Sequence, residues 1–256
     1  MKESYILSET HSSCAWLAPP AVLKLQEDEV HVWRASLSIS APQANALWNI
    51  LSPEETGRAD CFHFRKNREE FIAARGILRL ILGTYLGVDP AELRFCSGTY
   101  GKPSLCGETG GGELRFNLSH SHDLALYAVS RRIELGIDLE HIHSDLQAGS
   151  VAGELFSQRE LAELNVLPED ARPAAFFTLW TRKEACLKAR GSGLSLDAKQ
   201  FNVLTDHTDM TGSQTAFDEG RGNSSWTLRN LNAGPGYAAA IAVQRHDWQL
   251  KCWQWP

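Results

Sequence analysis

The sequence predicts an α+β protein built from two similar halves, and three observations carry that prediction. Two long segments show a helical apolar stripe, one over residues 71–86 and one from about Pro173 to Gly191. A short strand-like segment precedes each of them, VHVWR at Val30–Arg34 and LGIDLE at Leu135–Glu140. Phe71 and Phe177, Gly87 and Gly193, and Phe95 and Phe201 are all separated by 106 residues, the kind of self-similarity that marks an internal repeat. The expected organisation is an N-terminal extension at 1–27, a first half at 28–132 and a second at 133–256. The residues that look able to do chemistry lie mostly in the second half, and a ligand cleft is expected between the halves.

Each element has a local reason. In VHVWR the period of two places Val30, Val32 and the stem of Arg34 on one side. Ser52, Pro53 and Glu55 read as the N-cap, first and third positions of a helix that carries Arg58. The stripe Ile72, Leu78, Ile81, Leu82 and Tyr85 defines the next helix, which Gly87 and Pro90 end. Leu93–Phe95 reads as a strand, Ser97–Pro103 as a turn, and Glu108–Gly112 as a glycine-rich loop that matches no phosphate-binding fingerprint. Strands are expected at Leu114–Leu118 and Leu124–Ser130, around SHSH at 119–122, and at Leu135–Glu140. A helix follows around Ser157–Leu164, then the long helix, then strands near Phe201–Leu204, Trp226–Leu231 and Tyr237–Val243. Pro173 suits the first turn of the long helix, and Gly191 and Gly193 suit its stop.

Composition narrows the class. With 256 residues, 43% hydrophobic and 22% charged, the chain suits one large or two small globular domains. No apolar run approaches the roughly 20 residues of a membrane span, and the N-terminus lacks the order of a signal peptide, so a cytoplasmic protein is expected. A net charge of −6 argues against general nucleic-acid binding. None of the six cysteines forms a CxxC pair, and all six are expected to be reduced, buried small hydrophobes.

The chemistry is concentrated in two stretches. In LGIDLE, Leu135, Ile137 and Leu139 share one face and Gly136, Asp138 and Glu140 the other. Two carboxylates side by side on one face repel unless a cation lies between them, and oxygen ligands of this kind suit magnesium or manganese. The competing reading leaves both carboxylates pointing to solvent from a half-exposed strand. On the long helix, Phe177, Trp180, Glu184, Leu187 and Lys188 fall at three- and four-residue spacing. Alone, Glu184 and Lys188 would read as an ordinary surface ion pair. With Asp138 and Glu140 they suggest three converging carboxylates and an ammonium. His120, among the hydroxyls of Ser119 and Ser121, suits hydrogen bonding to a phosphate. Basic residues near helix ends and turns include Arg58, Arg75, Lys102, Lys183 and Lys188; most such residues merely solvate a surface.

FNLSHS, GIDLE and LWTRKEACLKARGSGLS, in that order and spacing, resemble the 4′-phosphopantetheinyl transferases, in particular the larger surfactin-synthetase type with two fused pseudo-repeats. LSPEETGRADCFHF, YGKP, ELFSQREL and PGYAAAIAV look like further blocks of that family, and the likeness spans about Val30 to Val243. The resemblance implies two subdomains in pseudo-twofold arrangement, each a small antiparallel sheet flanked by a long helix, with coenzyme A in the cleft. It implies transfer of the 4′-phosphopantetheine arm of coenzyme A to a serine of an apo acyl or peptidyl carrier protein, with release of adenosine 3′,5′-bisphosphate. Carried over, Asp138, Glu140 and Glu184 would hold magnesium, with manganese as a substitute, on the pyrophosphate. Glu184 would also deprotonate the carrier serine, and Lys188 would neutralise or protonate the departing phosphate. Ser119, His120 and Arg58 would bind the 3′-phosphate, Lys102 and Pro103 the nucleotide and Lys183 a phosphate, with Arg75 as a further candidate. A monomer would suffice, without nucleic acid or membrane.

Phosphoryl-type transfer asks little covalent chemistry of a protein beyond a metal clamp, positive charge and a positioned nucleophile. Two rivals are a coenzyme A-binding protein without transfer activity and a magnesium-dependent phosphohydrolase. The presence of both Glu184 and Lys188 argues against the first, and the lack of a second metal-binding cluster argues against the second.

Overall fold

The structure, a computed structural model, describes residues 15–98, 101–107, 113–143, 153, 155–191, 198–203, 215–217 and 226–256. The expected loop at 108–112, nearly all of the 205–223 loop and Gly193 lie outside them.

In chain order the elements are β1 (Glu29–Ser36), α1 (Ala41–Trp48), α2 (Pro53–Asp60), α3 (Arg65–Leu86), β2 (Phe95–Ser97), β3 (Pro103–Leu105), β4 (Leu114–Ser121), β5 (Leu124–Arg131), β6 (Leu135–His141), α4 (Gln158–Val166), α5 (Arg172–Arg190), β7 (Thr215–Phe217), β8 (Trp226–Asn230), β9 (Tyr237–Val243) and β10 (Gln249–Gln254). Among the described residues two four-stranded sheets form, ordered β10-β1-β5-β4 and β6-β9-β8-β7, beside a small β2-β3 hairpin. The fold is α+β. The same motif occurs twice along the chain, a strand, a long helix and an antiparallel pair: β1, α3 and β4-β5, then β6, α5 and β8-β9.

Side-chain alternation sorts the interior into three layers. Trp33, Ala35, Tyr127 and Val129 face α3, whose Ile72, Ile77, Leu78, Ile81 and Leu82 fill the first core. Val30, Val32, Leu126 and Ala128 face the other way and meet Leu135, Ile137, Leu139, Ala239, Ile241 and Val243 of the second sheet. Ala238, Ala240 and Ala242 turn to α5. The order is therefore helix, sheet, sheet, helix. Three alanines on one face leave room for α5 to lie close to its sheet. Gly136 makes the approach closest: a Cβ there would stand 2.2 Å from the Ala189 nitrogen and 2.3 Å from the Ala185 carbonyl oxygen.

The helix signals behave as their chemistry requires. Ser52 accepts from the Glu55 amide while Glu55 accepts from the Ser52 amide, with Pro53 at the first helical position. Gly87 and Gly191 end α3 and α5 in the left-handed conformation, at φ 67° and 63°. The pairing of Gly87 with Gly193 is thus not the structural one, because the chain already turns at Gly191. Residues 201–203 form no strand. The first short strand begins at Phe95 rather than Leu93, and α1 and β3 were not anticipated.

One connection departs from two self-contained halves. β10 crosses back and pairs in parallel with β1, from Glu29 opposite Gln249 to Arg34 opposite Gln254. The first sheet is therefore not wholly antiparallel, and one of its strands comes from the end of the chain. The reduced-cysteine expectation also fails, because the β2-β3 hairpin brings Cys96 and Cys106 to a Cα separation of 5.5 Å and they form a disulfide. Cys61 is free and exposed, whereas the free Cys186 is buried as expected. No described helix is long and apolar enough to cross a membrane.

Candidate active site

Where β6 passes under α5, a cavity of about 460 Å³ is lined by Leu118, Ser119, His120, Asp138, Glu140, Trp180, Glu184 and Lys188. β6 supplies Asp138 and Glu140 from the face that carries Gly136, so the contact that lets α5 lie against the strand also brings Glu184 and Lys188 over the carboxylates. The helical face inferred from spacing divides in two. Phe177 and Leu187 enter the core, while Trp180, Glu184 and Lys188 line the cavity.

The Lys188 ammonium lies 2.6 Å from Asp138 Oδ1 and donates to Ser119 Oγ at 3.0 Å. Ser119 Oγ in turn donates to the same Asp138 oxygen at 2.9 Å. Glu140 accepts from Ser121 Oγ at 3.1 Å. Asp138 Oδ2 is buried and has no hydrogen-bond partner. Burial, and then the negative charge of Asp138, push Glu140 up to about 7. The same two causes, in the same order, raise Glu184. The centre thus concentrates more negative charge than Lys188 offsets. Among the described residues no three carboxylate, imidazole or thiol groups close into a metal cluster as they stand. The donor set still fits a divalent cation, since it offers hard oxygen ligands and an unpartnered buried oxygen.

Through Leu118 and His120 this cavity adjoins a second, of about 690 Å³, which belongs to the first half. Arg58, Arg75, Arg79, Arg94, Phe95 and Pro103 are among its lining residues. Arg75 and Arg79 both bind Glu55, at 2.6 and 2.7 Å, and both stack over Phe95. Arg58 lies over Phe71 and is exposed. This is a basic, partly aromatic chamber beside an acidic one. Arg94 and Ser121 were not picked out as site residues by sequence reasoning. A lone arginine after a loop carries no signal, but the position of Ser121, two residues after Ser119 on the same strand face, could have found it.

Two lysines expected at the ligand are not among the residues that line either cavity. Lys183 is fully buried, ion-paired to the equally buried Glu160 at 3.0 Å, and donates to the Ala198 and Phe201 carbonyls. It ties α5 to α4 and the following loop. The Lys102 ammonium donates to the Leu135 and Ala189 carbonyls, both at 3.0 Å, and pairs with Glu134 at 3.2 Å. It caps the C-terminal end of α5, where a cation is favoured. Its neighbours Gly101 and Pro103 do line the larger cavity.

An acidic centre on a strand and a crossing helix, fed by a basic chamber from the other half, is an arrangement for transferring a phosphate-linked group. Comparison with known proteins gives the class. The family model for the 4′-phosphopantetheinyl transferase superfamily matches residues 134–242, and the model for the 4′-phosphopantetheinyl transferase N-terminal domain matches residues 33–132. The 4′-phosphopantetheinyl transferase HetI of Nostoc sp. is 39% identical over 240 residues, covering 94% of this chain and 98% of the relative. A putative 4′-phosphopantetheinyl transferase of Synechocystis sp. is 29% identical over 69% of this chain and 77% of its own length. The 4′-phosphopantetheinyl transferase Sfp of Bacillus subtilis is 24% identical over 82% of this chain and 89% of its own length. The chain belongs to the 4′-phosphopantetheinyl transferase family.

Proposed function

We propose that the protein transfers the 4′-phosphopantetheine arm of coenzyme A to a serine hydroxyl of an apo acyl or peptidyl carrier protein and releases adenosine 3′,5′-bisphosphate. The observation that carries this reading is the meeting of Asp138, Glu140, Glu184 and Lys188 in one cavity that opens onto the arginine-lined chamber. The basic chamber suits the nucleotide phosphates, with Arg58, Arg75 and His120 as contacts and Pro103 against the nucleotide. Ser119 sits at the junction, already engaged by Asp138 and Lys188.

Asp138, Glu140 and Glu184 would hold the divalent cation, magnesium or in its place manganese, and its role is to neutralise the pyrophosphate. The chain's own residues do the rest. Glu184, which lines the cavity beside Lys188, takes the proton of the carrier serine. Lys188 can reach the phosphate that carries the leaving charge and stabilises it as the bond breaks. Trp180 walls the cavity and excludes water from one side. A monomer supplies both chambers.

The test is incubation with coenzyme A, magnesium and a panel of fatty-acid, polyketide and peptide apo carriers, followed by intact mass. Gain of one phosphopantetheine on a carrier is expected. Free phosphate without carrier modification would instead indicate a phosphohydrolase, and binding of coenzyme A without either product a binding protein.

A further inference from the structure

β4 and β6 are each the edge strand of their own sheet, and they meet without a backbone ladder. Instead, every second side chain of β4 reaches across. Asn117 Oδ1 accepts from the Ile137 amide at 2.9 Å, Ser119 binds Asp138, and Ser121 Oγ donates to Glu140 at 3.1 Å while accepting from the His141 amide at 3.0 Å. The period of two keeps these three on one face of β4, while Phe116 and Leu118 pack into the first core from the other. An edge strand normally presents a row of unpaired amides. Here Asn117 and Ser121 satisfy two of them, and the hydroxyls between and beside those contacts hold the carboxylates. A backbone ladder would fix the strand and leave Asp138 and Glu140 to their own rotamers. This side-chain ladder fixes the strand and the carboxylates in one register.

We propose that Asn117 and Ser121 are positioning residues for the transfer reaction. They bracket Ser119 and set where Asp138 and Glu140 stand, acting through β6 without touching coenzyme A. Ser121 is the more diagnostic of the two, because one hydroxyl grips both the backbone and Glu140. The activity arm of the test rests on the transferase reading; the exchange arm does not.

The experiment compares wild type, Ser121→Ala and Ser121→Thr in the full chain. It measures kcat, the KM for coenzyme A, the thermal midpoint and hydrogen exchange at the His141 amide. Loss of one net hydrogen bond should speed that exchange about tenfold in Ser121→Ala. In the same variant kcat should fall about tenfold with KM within about twofold of wild type. Ser121→Thr, which keeps the hydroxyl, should restore both exchange and kcat. Unchanged kcat in Ser121→Ala, or a loss that only follows the thermal midpoint, or failure of threonine to restore turnover, overturns the proposal. If wild type modifies no carrier, the transferase reading fails, and unchanged His141 exchange in Ser121→Ala would then sink the ladder independently.

Discussion

Gly136 and Ala189 touch backbone to backbone, and the space for a methyl group between them does not exist. Gly136→Ala should therefore push α5 off β6. Overpacking of this kind costs about 1–3 kcal/mol or more, because both elements are backbone and neither can rotate away. Urea unfolding would show the loss, and folded protein should transfer slowly because Glu184 and Lys188 move with the helix. A variant with wild-type stability and turnover would mean that the contact is not what sets the helix position.

Lys188 and Glu184 should separate in kinetics. Lys188→Ala removes a charge that matters most as the phosphate departs, so turnover should drop on the order of 100- to 1,000-fold with little change in coenzyme A affinity. Glu184→Gln keeps the shape but loses the proton acceptor and an oxygen ligand, so turnover and magnesium dependence should suffer together. Steady-state transfer across a magnesium titration, with affinity measured by calorimetry, decides. An effect of Lys188→Ala on affinity alone would make it a docking residue.

Lys183 should matter to folding instead of to phosphate. Both it and Glu160 are shielded from solvent, and removing one member of a buried pair strands the other charge. Lys183→Met should lower stability by about 3–5 kcal/mol, measured by urea unfolding, while the folded fraction binds coenzyme A normally. Weakened binding at full stability would return Lys183 to the ligand.

Glu55 ties the larger cavity to acid stability. Burial alone would raise its pKa, but the Ser52 amide, Arg75 and Arg79 together outweigh burial and hold the carboxyl below its ordinary value. Its contribution is therefore complete above the unfolded value of about 4.3 and is lost as pH falls through the lower folded value. The stability difference between wild type and Glu55→Gln, from urea unfolding between pH 7 and pH 3, should be constant near neutrality and shrink at the acid end. Glu55→Gln should be less stable at pH 7 and lose part of the acid slope. An unchanged slope would show that other carboxylates govern it.

What was legible in the chain was whatever a few neighbouring residues decide. Ser52, Pro53 and Glu55 announce a helix start within four residues, Gly191 a stop, and LGIDLE its two faces. Asp138, Glu140, Glu184 and Lys188 were legible because strand and helix periods each place two of them together, and they do line one cavity. The partners of Lys183 and Lys102 were not legible because they are remote in sequence. Glu160 and the carbonyls of Ala198 and Phe201 determine one, and the end of α5 determines the other. The Cys96–Cys106 bond and the parallel pairing of β10 with β1 are likewise products of the folded arrangement, with no local signature.

That parallel pairing makes order of synthesis matter. β1 emerges from the ribosome early, yet β10, its neighbour on one side, is translated after every other described element. Until residue 254 is out, β1 keeps an open edge of hydrogen-bonding groups, the surface on which nascent chains adhere to one another. A nascent chain stopped after β9 would hold every residue assigned to the transfer chemistry and still lack a strand of the opposite sheet. β1 thus gains this neighbour only once the residues of the second half have been made.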